Sequence, residues 1–192
     1  MGRIAVFCGA TPGVDPRHAD AARRLGAVLA ARGLGLVTGG GRVGLMGAVA
    51  DAALALGGEV VGVIPRRLVD RELAHPGLTR LVVVESLAER KSAMVDLSDG
   101  FIALPGGIGT LDELAEVLSW AQLGLHDKPT GLMDVGGYWQ PLLAWLDLSV
   151  AEGYVTRAHR GAIVVSDDPD AILDAFASFR PPGDRWETSR QG

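Results

Sequence analysis

Ile4-Ala5-Val6-Phe7 and Val60-Val61-Gly62-Val63-Ile64 carry no polar residue at any position. A strand with one wet face alternates apolar and polar side chains, so runs like these suit strands covered on both faces, as in a parallel sheet flanked by helices. Working outward, short apolar runs at 3–8, 35–37, 59–64, 81–84, 101–104, 130–133 and 162–165 read as strands, and segments of helical period fill the gaps. This alternation predicts right-handed βαβ units. The expected fold is α/β, a Rossmann-like doubly wound parallel sheet of about seven strands with helices on both faces.

The chain has 192 residues, 48% hydrophobic and 21% charged, which supports a sizeable core and excludes intrinsic disorder. No repeat or linker divides it. Residues 1–180 are read as a single Rossmann-like nucleotide-binding domain, and 181–192, opening Pro181-Pro182-Gly183, as a loose C-terminal tail whose Trp186 is either exposed or docked on a partner subunit. A net charge of −5 supplies no global positive field, so nucleic acid is not an expected partner. No apolar run approaches the roughly 18 residues of a membrane span, so no membrane is expected either.

Cys8 is the lone cysteine, which excludes an intrachain disulfide and a cysteine-based zinc site. It ends an apolar run and reads as a buried, inert thiol. The N-terminus lacks the pattern of a secretory signal, so the cytoplasm is the expected address. His18, His75, His126 and His159 are dispersed without ligand spacing. They read as surface or capping histidines, with no metal.

Two glycine-rich turns follow strands. Thr38-Gly39-Gly40-Gly41-Arg42-Val43-Gly44-Leu45-Met46-Gly47 contains a formal G-x-G-x-x-G, but no acidic residue stands at the ribose position after the next strand, which disfavours an NAD-dependent oxidoreductase. No Gly-Lys-Ser/Thr exists, so a P-loop is excluded. A tight strand-to-helix turn and an anion cradle at a helix start near Gly44 weigh evenly here. The second turn is Leu104-Pro105-Gly106-Gly107-Ile108-Gly109-Thr110-Leu111-Asp112-Glu113. Its glycines fit a phosphate cradle better than a plain turn.

The helix after it puts Leu111, Leu114, Leu118 and Leu125 on one stripe, and Glu113, Glu116 and Trp120 on another face. On spacing alone, Thr110-Leu111-Asp112-Glu113 and Ser86-Leu87-Ala88-Glu89 are better read as capping boxes than as catalytic sets. In Glu89-Arg90-Lys91-Ser92-Ala93-Met94, Arg90 and Met94 share a helix face. Arg90 is either part of a solvated face or bends over the cleft to meet a carboxylate or phosphate with its planar fork.

With these motifs in view, the chain resembles the LOG family of cytokinin riboside 5′-monophosphate phosphoribohydrolases, whose members are often labelled lysine decarboxylase-like. The family's P-G-G-x-G-T-x-x-E stands at 105–113, its G-G-G-x-x-G-L-M-G at 39–47, its E-R-K-x-x-M at 89–94 and its W-A-Q-L-G-x-H-x-K-P at 120–129. Ala88 and Ala10 depart from a common His and Ser, while Ser119 keeps the hydroxyl of a common Thr. The resemblance implies hydrolysis of the N-glycosidic bond of an adenosine 5′-monophosphate, N6-modified or plain, to free base and ribose 5-phosphate.

It further implies Arg90 and Glu113 as catalytic residues. Glu72, Lys91, Met94, Gly107, Ile108, Gly109, Thr110, Glu116 and Ser119 would line the substrate site, with phosphate contacts at Gly40, Gly41, Gly44, Gly107, Gly109 and Thr110. A homodimer with the site near the interface is implied, and no cofactor. Glu113, read as first-turn, is expected to act ionised, with Glu116 as an acid if burial raises its pKa. The alternative is a non-catalytic nucleotide- or molybdenum-cofactor-binding carrier of the same fold. A pyridoxal-dependent decarboxylase is disfavoured, because neither Lys91 nor Lys128 has a recognisable Schiff-base setting.

Overall fold

The computed structural model describes residues 2–69 and 74–183. Its elements run β1 (Arg3–Phe7), α1 (Pro16–Ala31), β2 (Gly35–Thr38), α2 (Gly44–Ala55), β3 (Val60–Pro65), β4 (Arg80–Val84), α3 (Leu87–Asp96), β5 (Gly100–Ala103), α4 (Ile108–Gln122), β6 (Thr130–Met133), α5 (Gln140–Ala151), α6 (Arg157–Gly161), β7 (Ile163–Ser166) and α7 (Pro169–Ala177). The strands form one seven-stranded sheet in the order β4-β3-β2-β1-β5-β6-β7, with every pairing parallel. The doubly wound reading holds.

The period-2 geometry of β1 divides the core. Ile4, Val6 and Cys8 face the layer of α1, α2 and α7, where Leu25, Leu29, Val49, Ile172 and Phe176 are buried. Ala5 and Phe7 face α3, α4 and α5, where Met94, Leu114, Val117 and Leu143 are buried. The apolar residues from Ile4 to Phe7 are thus used on both faces, which is why the run shows no alternation. The edge strand β4 differs, with Leu81 38% and Val83 39% exposed.

Of the two expected capping boxes, one forms. Ser86 caps α3 by accepting from the Glu89 N–H at 3.1 Å, while Glu89 accepts from the Glu85 N–H at 2.9 Å. The second box does not form: α4 begins at Ile108 with Gly107 as its N-cap and no side-chain cap, so Thr110 is already inside the first turn and Glu113 lies in the second. The buried stripe of α4 is Thr110, Leu114 and Val117; Leu111 is 38% exposed, and Leu125 lies beyond the helix at 65%. With Gly107 able to start the helix uncapped, α4 begins one turn earlier than the Thr110 box would set it.

The histidines also depart from the surface reading, because His126 and His159 are buried. His126 lies in the loop between α4 and β6, its ring 5.2 Å from that of Phe101. Its Nε2 donates to the Val117 carbonyl at 2.9 Å and its Nδ1 accepts from the Lys128 N–H at 3.2 Å, which fixes a neutral tautomer. His159 bonds through Nδ1 to the Thr156 hydroxyl and donates through Nε2 to the Gly183 carbonyl at 3.1 Å, holding the first residues after 180. The remaining tail, with Trp186, lies outside the described residues.

Burial pushes the His126 pKa below its ordinary value. Above about pH 6.5 the ring is neutral folded and unfolded; below it the unfolded chain takes a proton that the folded ring refuses. Stability is therefore expected to decline as the pH falls from about 6.5 toward the folded-state pKa, and His126→Gln is expected to flatten that part of a pH series of thermal midpoints.

Candidate active site

The order β2-β1-β5 sets the turns after these three strands side by side at their carboxyl ends, where the winding reverses. Gly44 has φ +63°, and a Cβ there would lie 2.3 Å from the Ala10 carbonyl carbon. Only a glycine lets the start of α2 press against the β1 turn this way. The Leu45 N–H donates to the Gly9 carbonyl at 3.0 Å, and the Gly9 N–H to the Pro105 carbonyl at 3.1 Å, stitching the three turns together.

Arg90, on α3, is 8% exposed, so it is not part of a solvated face. Its Nε donates to the Val63 carbonyl and its Nη2 to the Gly39 carbonyl, both at 3.1 Å. A Cβ at Gly39 would stand 1.9 Å from Nη2. That glycine is needed by the guanidinium, a reason the sequence motif alone does not disclose. Met94, one turn on, is 1% exposed within the core. It packs against the sheet in the core layer that also holds Leu114 and Val117.

Glu113, half-buried on α4, and Arg90 both act on Cys8. Burial pushes this thiol well above its ordinary pKa; the negative charge of Glu113 raises it further, and the positive charge of Arg90 lowers it. The inert-thiol reading of Cys8 is thereby supported. The two candidate catalytic groups lie within electrostatic reach of one buried atom at the end of the central strand.

Lys91 pairs with Glu116 at 2.5 Å and with Asp112 at 3.1 Å, and these carboxylates hold its pKa up, Glu116 foremost. The Glu116 Oε2 is buried and faces that ammonium. This pairing commits Glu116 to Lys91 and leaves it no evident role as proton donor. Lys128 donates to the Val95 carbonyl at 2.7 Å. Neither lysine fits a pyridoxal Schiff base.

The two glycine turns differ in kind. The Gly40 N–H donates to the Thr38 hydroxyl and the Gly41 N–H to the Met46 sulfur, so both are spent internally. Gly107 and Gly109, by contrast, have open space where a Cβ would stand, Ile108 is 82% exposed, and the first turn of α4 carries no side-chain cap. Open N–H groups at 108–110 favour the second turn as the anion cradle, while the first turn, through Gly39, holds Arg90. Thr110, 3% exposed, can offer only its backbone.

Ser119 lies on α4 eleven residues beyond Ile108, about 16 Å along the axis. It borders an apolar groove of about 390 Å³ between α4 and α5, apart from the cradle. Glu72 lies outside the described residues; after it, Ala74 bridges to Gly41 and the His75 N–H donates to the Gly40 carbonyl at 2.9 Å. Among the described residues no cluster of His, Cys, Asp and Glu is placed to hold a metal ion.

His18 and Tyr138, which the sequence reading left out of the site, line a cleft beside Gly106 and Gly107 and meet edge-on with ring centroids 5.5 Å apart. Their signal was position, since each follows a strand at the carboxyl edge of the sheet.

Fold and site together define a parallel α/β protein with an uncapped helix start, a buried arginine and a carboxylate at its switch point. Residues 46–176 match the family model described as possible lysine decarboxylase. A cytokinin riboside 5′-monophosphate phosphoribohydrolase of Rhodococcoides fascians is 47% identical over 180 residues, covering 93% of this chain and 89% of that one. An Arabidopsis thaliana protein of the same name is 42% identical over 195 residues, covering 98% and 86%. The chain belongs to this LOG family. The molybdenum cofactor binding protein of Rippkaea orientalis superposes with a TM-score of 0.69 at 24% identity, covering 92% of this chain and 96% of that one, which establishes shared fold alone.

Gly39→Ala is expected to cost about 1–3 kcal/mol in denaturant unfolding, because its methyl collides with a buried, bonded guanidinium. Gly109→Ala, whose methyl meets open space, is expected to leave the midpoint unchanged or raised.

Proposed function

We propose that the protein hydrolyses the N-glycosidic bond of an adenosine 5′-monophosphate, plain or N6-modified, releasing the free base and ribose 5-phosphate. The observation that carries this is the buried Arg90, locked to the Gly39 and Val63 carbonyls, acting together with Glu113 on Cys8 beside the open start of α4. As the bond from C1′ to the base breaks, positive charge grows on the ribose. The Glu113 carboxylate stabilises that charge and orients the water that adds to C1′, while the water's proton balances the departing base.

Glu113 lies in the second turn of α4, where the influence of the helix dipole has faded, and Arg90, always charged, acts with it on the same Cys8 thiol. Arg90 orients Glu113 and substrate oxygens and donates no proton. The N–H groups of Gly109 and Thr110 face the phosphate, and Lys91, its charge met by Glu116 and Asp112, offers a hydrogen-bond donor at the rim. Gly44 lets the start of α2 press on the β1 turn beside it.

Release of base and ribose 5-phosphate from AMP or isopentenyladenosine monophosphate, followed by chromatography, is expected from the wild type, with Glu113→Gln reducing kcat at least about a hundredfold. Nucleotide binding without cleavage would instead favour the carrier reading.

A homodimer completes the proposal, with a second copy over the groove between α4 and α5. Leu111, Leu118, Leu142 and Val155 line it, and Trp145 is 59% exposed. Leu148 at 57% and Tyr154 at 84% extend the same apolar surface. Ser119 on its edge is too far from its own cradle, so it serves the partner's site. The lone buried cysteine fits a reducing compartment such as the cytoplasm. Light scattering is expected to give twice the 20.0 kDa chain mass, and Trp145→Glu to return it to the monomer.

A further inference from the structure

Arg90 stands on α3 and Glu113 on α4, so the geometry of this pair depends on how the two helices are held to each other. Side chains bridge them beside the site and again further along. Beside the site, Lys91 reaches from α3 to α4, where its ammonium meets Glu116 Oε2 at 2.5 Å and Asp112 Oδ2 at 3.1 Å. Further along, the loop at 123–129 makes the connection. The Lys128 ammonium donates to the Val95 carbonyl in the last turn of α3 at 2.7 Å, and the His126 ring donates to the Val117 carbonyl of α4 at 2.9 Å. The Lys128 N–H closes this bracket by donating to the same ring at 3.2 Å. Because α3 has no basic residue in its own last turn, Lys128 also supplies the cation that a helix C-terminus favours.

The two brackets differ in what they adjoin. Lys91 follows Arg90 directly in the chain, and Glu116 lies three residues beyond Glu113 on α4, a spacing that makes them neighbours on the helix surface. The side chains of Lys91 and Glu116 are only 19% and 25% exposed, whereas that of Asp112 is 61% exposed. An exposed ion pair contributes little, so Glu116 is the partner that counts. Its carboxylate, ahead of that of Asp112, holds the Lys91 pKa above the ordinary value.

We propose that Glu116 is a positioning residue for the catalytic pair: its ion pair with Lys91 fixes the separation of α3 and α4, and with it the placement of Arg90 against Glu113. The inference rests on the phosphoribohydrolase reading for its reaction. Arg90 is anchored to the sheet through the Gly39 and Val63 carbonyls, so the pair acts on where α4 presents Glu113. No side-chain cap steadies the start of that helix. The Lys128 bracket, a turn or more from both groups, serves stability.

The test is steady-state kinetics with AMP and isopentenyladenosine monophosphate, together with thermal midpoints, on the wild type, Glu116→Gln and Lys128→Met. Lys128→Met keeps the apolar stem and loses the far bracket, so it is expected to lower the midpoint and leave kcat and KM unchanged. Glu116→Gln keeps the shape and loses the charge. It is expected to lower kcat about tenfold and raise KM about threefold, because a small displacement of a reacting group is amplified in the rate. In a Lys91→Met background, where the pair is already broken, Glu116→Gln is expected to cost nothing further in kcat.

An unaltered kcat in Glu116→Gln, with or without a change in KM, overturns the proposal and spares the reaction. An equal fall in kcat in Lys128→Met does the same, since it marks general loosening of the fold, and so do independent, multiplying losses in the Lys91→Met background. If the wild type cleaves neither nucleotide, the reaction fails and calorimetry with AMP decides the rest. Weaker binding by Glu116→Gln but not by Lys128→Met keeps Glu116 as a positioning residue of a nucleotide site; equal affinities, or no binding by the wild type, sink it. If Glu116→Gln fails to fold, Glu116→Asp, which keeps the charge and withdraws it by one methylene, decides by the same comparison of kcat.

Discussion

A guanidinium with 8% of its surface exposed dictates the arrangement around it. Burying such a charge is costly unless its donors are met, and here carbonyls at the ends of β2 and β3 meet two of them. That requires α3 to approach the sheet closely, Gly39 to lack a side chain, and the β2 turn to aim a carbonyl at the cleft. The G-G-G-x-x-G segment, read as nucleotide cradle or plain turn, thus has a third use. Its glycines make room for an arginine supplied by a helix some fifty residues later in the chain, a separation of the order that parallel crossover connections produce.

The strand pattern was legible throughout because a doubly covered parallel sheet leaves unbroken apolar runs; each anticipated strand forms, with ends shifted by a residue or so. The start of α4 was misjudged. Thr110 to Glu113 satisfies capping spacing, yet glycines ahead of it let the helix begin at Ile108, and the box was lost. For Met94, periodicity gave the face it shares with Arg90 without saying how deep that face lies; the structure buries both. His126 was misread because its partners, the Val117 carbonyl and the Phe101 ring, are brought to it by tertiary packing.

The site divides labour between two turns that look alike in sequence. One closes its own N–H groups on a hydroxyl and a thioether and turns a carbonyl outward; the other leaves its N–H groups open. The buried guanidinium and the open helix start thus stand at the ends of β2 and β5, on either side of β1. Lys91, bound to two carboxylates, adds charge at the rim without adding net field. Selectivity in such a site comes from the orientation of peptide groups more than from the number of charged side chains.

The pairing of β1 with β5 aligns Ile4 with Gly100, so the centre of the sheet joins residues nearly a hundred positions apart. Synthesis delivers β1 through β4 first, and their pairings can form as a half-sheet with one side of β1 still open. Closing so long a loop is slow, and until it closes β1 remains an unpaired apolar edge. The chain thus emerges with its own most adhesive strand uncovered, and the arrival of β5 both hides that edge and builds the cleft. Protection from aggregation and competence to bind are acquired in a single late step.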